Sequence, residues 1–367
     1  MATAGKTWLI GLVAVAFVPT LATAFVTASS ASPPTDAVQR PVKVMTRNLY
    51  VGANLARASQ ATTQPQFLAA VSTIFTNFQT TDFPARAKAL AREIEDADPA
   101  LIGLQEVALW RQGPVGVLDG PRTPAQDVVL DFLPVLRAEL AALGLDYDVV
   151  RQQPELDLEA PAGAPYFRDV RLTSRDVILA KRGAVTVHTA SSANFAAAST
   201  ISSALGPLIV KASWVAADVT VNERSFRFVT THLEPFDPAV RADQAAELVQ
   251  PGGPAAASSA PVVLVGDLNS DPGDPAPDDA FDVLAGTGLE DTWMQANDSA
   301  PGFTHGFGEL LDDPTSAGFD TRIDHVLTRA ADAPASKARL TGVDPDNRTP
   351  SGRWPSDHAG LVTTLAP

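Results

Sequence analysis

Apolar positions along this chain follow two periods, and segments of each kind alternate. From Val42 to Tyr50 apolar and polar residues alternate, the period of a half-buried strand. Short apolar runs at Leu101–Val107, Val177–Ala180, Val185–His188, Ile209–Val221, Phe226–His232, Pro261–Asp267 and Ile323–Thr328 predict further strands. Ala87, Leu90, Ala91 and Ile94 share one face of a helix predicted over Pro84–Glu95, with Asp82 as its cap and Pro84 in its first turn. Gln126–Leu143 predicts a second helix, kinked near Pro134 and stopped by Gly144. Ala239–Val249 predicts a third. In the enlarged segment Gly52–Phe83, the residues Phe67, Leu68, Val71, Ile74, Phe75 and Phe78 fall at helical spacing. They predict a helix packed on the core, with a lid or lipid-facing element as the alternative. Strands interspersed with helices and hairpins indicate an α/β fold with mixed sheets.

Strand parity carries the first chemical information, because alternate residues of a strand face the same side. Val42, Val44, Thr46 and Asn48 form one row. Ile102, Leu104 and Glu106 form a second; Phe226, Phe228, Thr230 and His232 a third; Val263, Val265, Asp267 and Asn269 a fourth. Each row is apolar until its C-terminal edge and then polar. A buried carboxylate or imidazole costs several kcal/mol unless it is paired or bound to a metal. The rows therefore predict a pocket where the strand ends converge.

The first residues read as an export signal over 1–24: Lys6, an apolar run from Trp8 to Val18, and the Ala22-Thr23-Ala24 cleavage pattern. Residues 25–40, rich in Ser, Pro and Thr from Ser29 onward, read as a flexible linker. A single enlarged domain over 41–367 follows, with no internal repeat and no later stretch apolar enough to span a membrane. The expected protein is secreted, yet it has no cysteine, which excludes thiolate chemistry and cysteine-bound zinc. Its net charge of −15 argues against general electrostatic adhesion to nucleic acid.

Asn48, Glu106, Asp267, Asn269 and Asp357 are hard oxygen donors, a set suited to Mg²⁺ or Mn²⁺ rather than zinc. His232 and His358 are two of five histidines and stand beside these donors. A histidine near neutral pKa can activate water or stabilise negative charge forming on a phosphoryl group. Each residue also has an ordinary reading. Asn48, Asp267 and Asn269 are common turn residues, Asp357 and His358 suit a surface loop, and His232 suits a satisfied core histidine. His305 and His325 are read as structural, and His188 as an exposed strand residue.

Six short motifs carry a resemblance. They are Thr46-Arg47-Asn48-Leu49, Gly103-Leu104-Gln105-Glu106-Val107, Thr231-His232-Leu233, Gly266-Asp267-Leu268-Asn269, Arg322-Ile323-Asp324-His325-Val326-Leu327 and Ser356-Asp357-His358. In this order they resemble the endonuclease/exonuclease/phosphatase superfamily. The resemblance implies a four-layer sandwich, two mixed β-sheets flanked by helices. It implies that Asn48, Glu106 and Asp357 bind Mg²⁺ or Mn²⁺. It also implies that Asp267 directs the attacking water and Asn269 bonds the scissile phosphate. His232 would touch a phosphate oxygen or protonate the leaving group, and His358 would be the catalytic imidazole oriented by Asp324. Arg175, just before a core strand, is a candidate for gripping substrate phosphate.

The expected activity is that of a metal-dependent phosphoesterase, most naturally a phosphodiesterase. The substrate is a phosphate ester: nucleic acid, phospholipid or a small organophosphate such as an inositol phosphate. A catalytically silent binding module on the same fold is the alternative of another class. No stable protein partner is implied. Substrate choice rests with the loops, chiefly 52–83, 110–123 and 304–321.

Overall fold

Two strand pairings place the first strand at the centre of a sheet. β1 (Val42–Asn48) lies parallel to β2 (Leu101–Gln105) and antiparallel to β16 (Gly360–Leu365). The computed structural model describes residues 40–116, 124–204, 206–257, 260–273, 279–298, 300–329 and 335–365. The expected signal segment and all but Arg40 of the expected linker lie outside these residues, as does part of the 110–123 loop.

The first sheet also holds β3 (Leu109–Gly113), β4 (Asp127–Asp131), β5 (Tyr147–Ala162), β6 (Arg168–Lys181) and β15 (Ala335–Thr341). Its order is β15-β16-β1-β2-β6-β3-β4, with β5 also paired to β6. The second sheet contains β7 (Val185–Asn194), β10 (Ser213–Val221), β11 (Arg224–His232), β12 (Val262–Asp267), β13 (Glu290–Asp291) and β14 (Asp324–Arg329). Its order is β13-β14-β12-β11-β10-β7. A separate hairpin pairs β8 (Ser199–Ser203) with β9 (Gly206–Val210). Helices α1 (Ala56–Ser59), α2 (Gln64–Thr80), α3 (Phe83–Ala97), α4 (Phe132–Ala142), α5 (Pro238–Val249), α6 (Asp279–Ala285) and α7 (Thr292–Asn297) complete the regular structure.

Three apolar clusters divide these elements into four layers. Val44, Leu101, Ile178, Val215, Phe228 and Val265 fill the space between the sheets. Phe75, Phe83, Leu90, Leu104 and Phe132 bury the outer face of the first sheet under α2, α3 and α4. Leu248, Leu264 and Leu284 do the same for the second sheet under α5 and α6. The predicted sandwich of two mixed sheets flanked by helices is the observed one. The sheets approach closely at β2: a Cβ on Gly103 would lie 2.5 Å from both Thr230 Oγ1 and Val265 Cγ2. Only glycine lets the middle of β2 come this near to β11 and β12.

Two predicted elements differ, and one strand was not predicted. Residues 127–131 are not the start of a helix; they form β4, because Asp127, Val128, Leu130 and Asp131 pair with β3, with Val129 at a break in the register. Asp131 then caps a shorter α4, accepting from Leu133 N at 3.2 Å, and Pro134 causes no kink because it lies in the first turn. The apolar stretch 209–221 is broken: β9 pairs only with β8, and β10 begins at Ser213. The whole of β5 escaped the sequence pattern. Its register shifts twice, at Val149/Arg151 and Pro154/Leu156, so no constant alternation runs along it.

Candidate active site

Four strands end at one rim of the sandwich, and the chain turns sharply after three of them. Tyr50, Glu106 and Asn269 have left-handed backbones, with φ of 59°, 56° and 49°. Such conformations in residues other than glycine cost energy and cluster at functional sites. The turn at Glu106 corrects the expected parity. Ile102 and Leu104 face the helical layer, whereas Gln105 faces the inter-sheet space, donating to Thr230 Oγ1 at 2.8 Å. On strand parity alone Glu106 would point outward. The left-handed turn brings it into the site, where it accepts from Val51 N at 2.6 Å and from Asn48 Nδ2 at 3.1 Å.

Two histidine–carboxylate pairs converge on Asp267. His358 Nδ1 lies 2.8 Å from Asp324 Oδ2, and its Nε2 lies 3.7 Å from Asp267 Oδ2. His232 Nδ1 lies 3.2 Å from Glu155 Oε2, and its Nε2 lies 3.6 Å from the same Asp267 oxygen. Glu155 had no signal in the sequence. It is the extra residue between Pro154 and Leu156, the bulge that breaks the β5–β6 register. A bulge re-aims one side chain out of the strand's alternation, here toward His232. Asn269 lines the site, donates from Nδ2 to Leu233 O at 2.9 Å, and its backbone N–H donates to Asp267 Oδ1 at 3.0 Å.

Burial and charge set the protonation of this group. Burial opposes ionisation of His358, but Asp324, Asp267 and Asp357 outweigh it and raise its pKa to about 10. Burial likewise opposes the charge on His232, and Glu155 and Asp267 carry its pKa well above the ordinary imidazole value. Burial would raise Asp267, yet the two imidazolium neighbours hold it below the usual carboxylate range. Glu106 and Asp357 are pushed up, by burial first; the Asp357 charge adds to the effect at Glu106. These two crowded, half-buried carboxylates fit a bound cation, which would relieve both burial and repulsion. Asn48 stands behind them: its Nδ2 donates to Glu106 and, at 3.0 Å, to Asp267, while its Oδ1 accepts from Tyr50 N at 2.8 Å. A second donor group overlaps at Asp357. One ligand atom each of His305, Asp357 and His358 lie within 4.8 Å of one another.

His305 is thus a site residue rather than only a structural one. Its ring centroid is 4.7 Å from that of His358, and burial followed by the His358 charge lowers its pKa. His325 is structural as expected, with Nδ1 3.2 Å from Asp291 and Nε2 3.0 Å from Ser270 O. His188 sits exposed on β7 beside Thr220. Arg175 does not perform the phosphate grip expected of it. Its Nε donates to Val107 O at 2.9 Å, its Nη2 pairs with Asp131, and the buried side chain fixes the β2–β3 corner instead. Next to it, Asp176 is fully buried, accepts from Ser213 Oγ, and is held well above its ordinary pKa by burial and Glu155.

Two buried arginines hold the site's backbone. Arg47 donates to the His358 carbonyl and to Glu93 Oε1 at 3.2 Å. Arg86, in α3, donates to Leu49 O at 2.7 Å, Pro355 O at 2.8 Å and Tyr50 O at 3.1 Å, joining the end of β1 to the loop that carries Asp357 and His358. Ser356 adds a third tie, Oγ to Asn48 O at 2.8 Å. The assembled group opens into a cavity of about 800 Å³ whose walls include Glu106, His232, Asp267, Asn269, Asp357 and His358.

Known proteins share this arrangement of elements. The family described as Endonuclease/Exonuclease/phosphatase matches residues 48–358. D. rerio TDP2 complexed with single strand DNA product superposes with a TM-score of 0.52 at 16% identity, over 89% of this chain and 98% of that one. A mannosyl-6-phosphatase of Bacteroides thetaiotaomicron gives 0.50 at 16% identity, over 88% and 99%. An endonuclease/exonuclease/phosphatase of Beutenbergia cavernae gives 0.53 at 21% identity, over 89% and 72%. At these identities the likeness is one of fold. Among curated proteins none matches the sequence.

Proposed function

The chain belongs to the endonuclease/exonuclease/phosphatase family, whose members are phosphoric ester hydrolases, and on that premise we propose that it is a divalent-metal-dependent phosphodiesterase. The observation that carries the reading is the convergence of the Glu155–His232 and Asp324–His358 pairs on Asp267, beside the half-buried carboxylates Glu106 and Asp357. Glu106 and Asp357, with Asn48 behind them, would hold Mg²⁺ or Mn²⁺. Bound there, the ion would polarise a phosphoryl oxygen and stabilise charge in the transition state.

The remaining steps follow from the chain's own side chains. Asp267, kept ionised by two imidazolium neighbours, accepts a proton from the attacking water as its oxygen bonds to phosphorus. His358, charged and oriented by Asp324, stabilises the negative oxygens of the phosphorane-like transition state. As the ester P–O bond breaks, the leaving oxygen takes a proton from His232. The proton on Asp267 then returns to His232, 3.6 Å away, and both groups are reset.

The Lys6, Trp8–Val18 and Ala22-Thr23-Ala24 pattern suits a chain cleaved and released after residue 24, which would give this reaction an extracellular setting.

The test is a pair of variants assayed on bis-p-nitrophenyl phosphate. Glu106→Ala is expected to lower turnover by about 10³-fold or more. His358→Ala is expected to lose turnover comparably while retaining Mn²⁺ affinity in calorimetric titration. Near-normal turnover of Glu106→Ala would sink the metal assignment. Lost metal affinity in His358→Ala would overturn the division of roles.

A further inference from the structure

The reaction uses only part of the cavity's wall. Much of the rest is hydrocarbon, contributed by separate elements: Phe67, Val71 and Ile74 from α2, Leu156 and Leu158 from β5, and Val170 from β6. On another side Leu208 and Val210 of β9 and Phe236 complete it. The apolar surface continues outward. Phe236 is 55% exposed, and Ile209, between two wall residues, is 57% exposed. At about 800 Å³ the cavity is within the range of sites that enclose a small-molecule ligand.

Charge narrows what such a ligand can be. Among the described residues Lys211 is the one lysine or arginine on the cavity's walls, whereas Glu155, Glu159, Glu234 and Glu309 all line it in addition to the catalytic carboxylates. A polyphosphate or nucleic acid needs several cations along its path, and this cavity offers it carboxylates. A substrate with one phosphate and an apolar remainder meets neither objection. Resting on the phosphodiesterase reading, we propose that the substrate is an amphiphilic phosphodiester, with a long alkyl chain lying along Phe67, Val71, Leu156, Leu158 and Val170 while its phosphate meets Asp267 and the two histidines.

The test is a series of n-alkyl p-nitrophenyl phosphates, methyl to octyl, kept monomeric and assayed with the full chain and Mn²⁺. Burial of each methylene is expected to raise kcat/KM by about fourfold until the cavity fills, so octyl should exceed methyl by at least about 100-fold. In Ala160→Trp, which fills the cavity from β5, the octyl-to-methyl ratio is expected to fall below about tenfold. Hydrolysis of the methyl ester with a ratio flat to within about threefold would overturn the amphiphile and leave the phosphodiesterase reading intact. If no ester turns over, the phosphodiesterase reading fails, and calorimetry with n-alkyl phosphates decides the cavity separately. Octyl phosphate binding at least about 100-fold tighter than methyl phosphate supports the tail site, and equal binding overturns it. Phosphatidylcholine vesicles and monomeric lysophosphatidylcholine, assayed beside the series, distinguish a bilayer from a dispersed amphiphile as the source.

Discussion

Replacing Glu93 separates what the buried Arg47–Glu93 pair does for stability from what it does for catalysis. The two side chains are 0% and 1% exposed, and Nη2 lies 3.2 Å from Oε1. At an effective dielectric of about 20, that separation corresponds to a gross attraction of roughly 5 kcal/mol. Desolvation of each ion offsets it by several kcal/mol, so the intact pair is close to neutral for folding. Removing one member is not. Glu93→Leu strands a buried guanidinium, whose Nε already lacks a partner, and should destabilise by about 3–5 kcal/mol. Arg47→Met/Glu93→Leu removes both charges. It should return to within about 2 kcal/mol of the native protein, the residue being the unsatisfied Thr341 hydroxyl and His358 carbonyl at about 1 kcal/mol each. Turnover should not follow. Arg47 donates to the His358 carbonyl, so the double variant loses the anchor of the imidazole proposed to be catalytic, and a small misplacement there would lower the rate by about 10²-fold. Urea unfolding and bis-p-nitrophenyl phosphate turnover read the two effects separately. A double variant no more stable than Glu93→Leu, or one with native turnover, would refute the reasoning.

Two further outcomes are expected. Asp291 Oδ1 caps α7 through Trp293 N at 2.8 Å while Oδ2 pairs with Arg322 and His325, so Asp291→Ala should destabilise by about 3–5 kcal/mol in urea unfolding. Burial opposes ionisation of this carboxyl, but His325 and Arg322 hold it below the usual range. Its contribution should therefore be complete above about pH 4 and shrink only as pH falls further; an advantage that instead grew on acidification would contradict the pairing. For export, protein recovered from the medium should begin at Phe25 by N-terminal sequencing, and an uncleaved, cell-retained chain would contradict it.

The sequence disclosed the fold class because most strands and α3 carry a clear period; strand ends that break an apolar row pointed to Asn48, His232, Asp267 and Asn269, whereas the role of Asp324 came only from the resemblance, and Asp357 and His358 stood on no strand row. It failed where geometry is not periodic. Glu106 was assigned to the pocket for a reason the structure corrects: its row faces the helices, and a left-handed turn, not parity, turns it inward. Glu155 was invisible because a bulge has no period, and His305 because it comes to His358 through a loop bridge. Arg175 looked free to bind phosphate, since nothing in sequence reveals that Asp131 and the Val107 carbonyl engage it. Phe67, Val71 and Ile74 belong to the helix core, as their spacing suggested, and also form cavity wall.

Hydrolysis of bis-p-nitrophenyl phosphate by the purified protein, with EDTA and then with Mg²⁺ or Mn²⁺ restored, addresses the central claim most directly. Turnover abolished by EDTA and recovered with either ion is the predicted result. Turnover indifferent to EDTA, or none with either ion, would contradict the assignment of a metal-dependent phosphodiesterase.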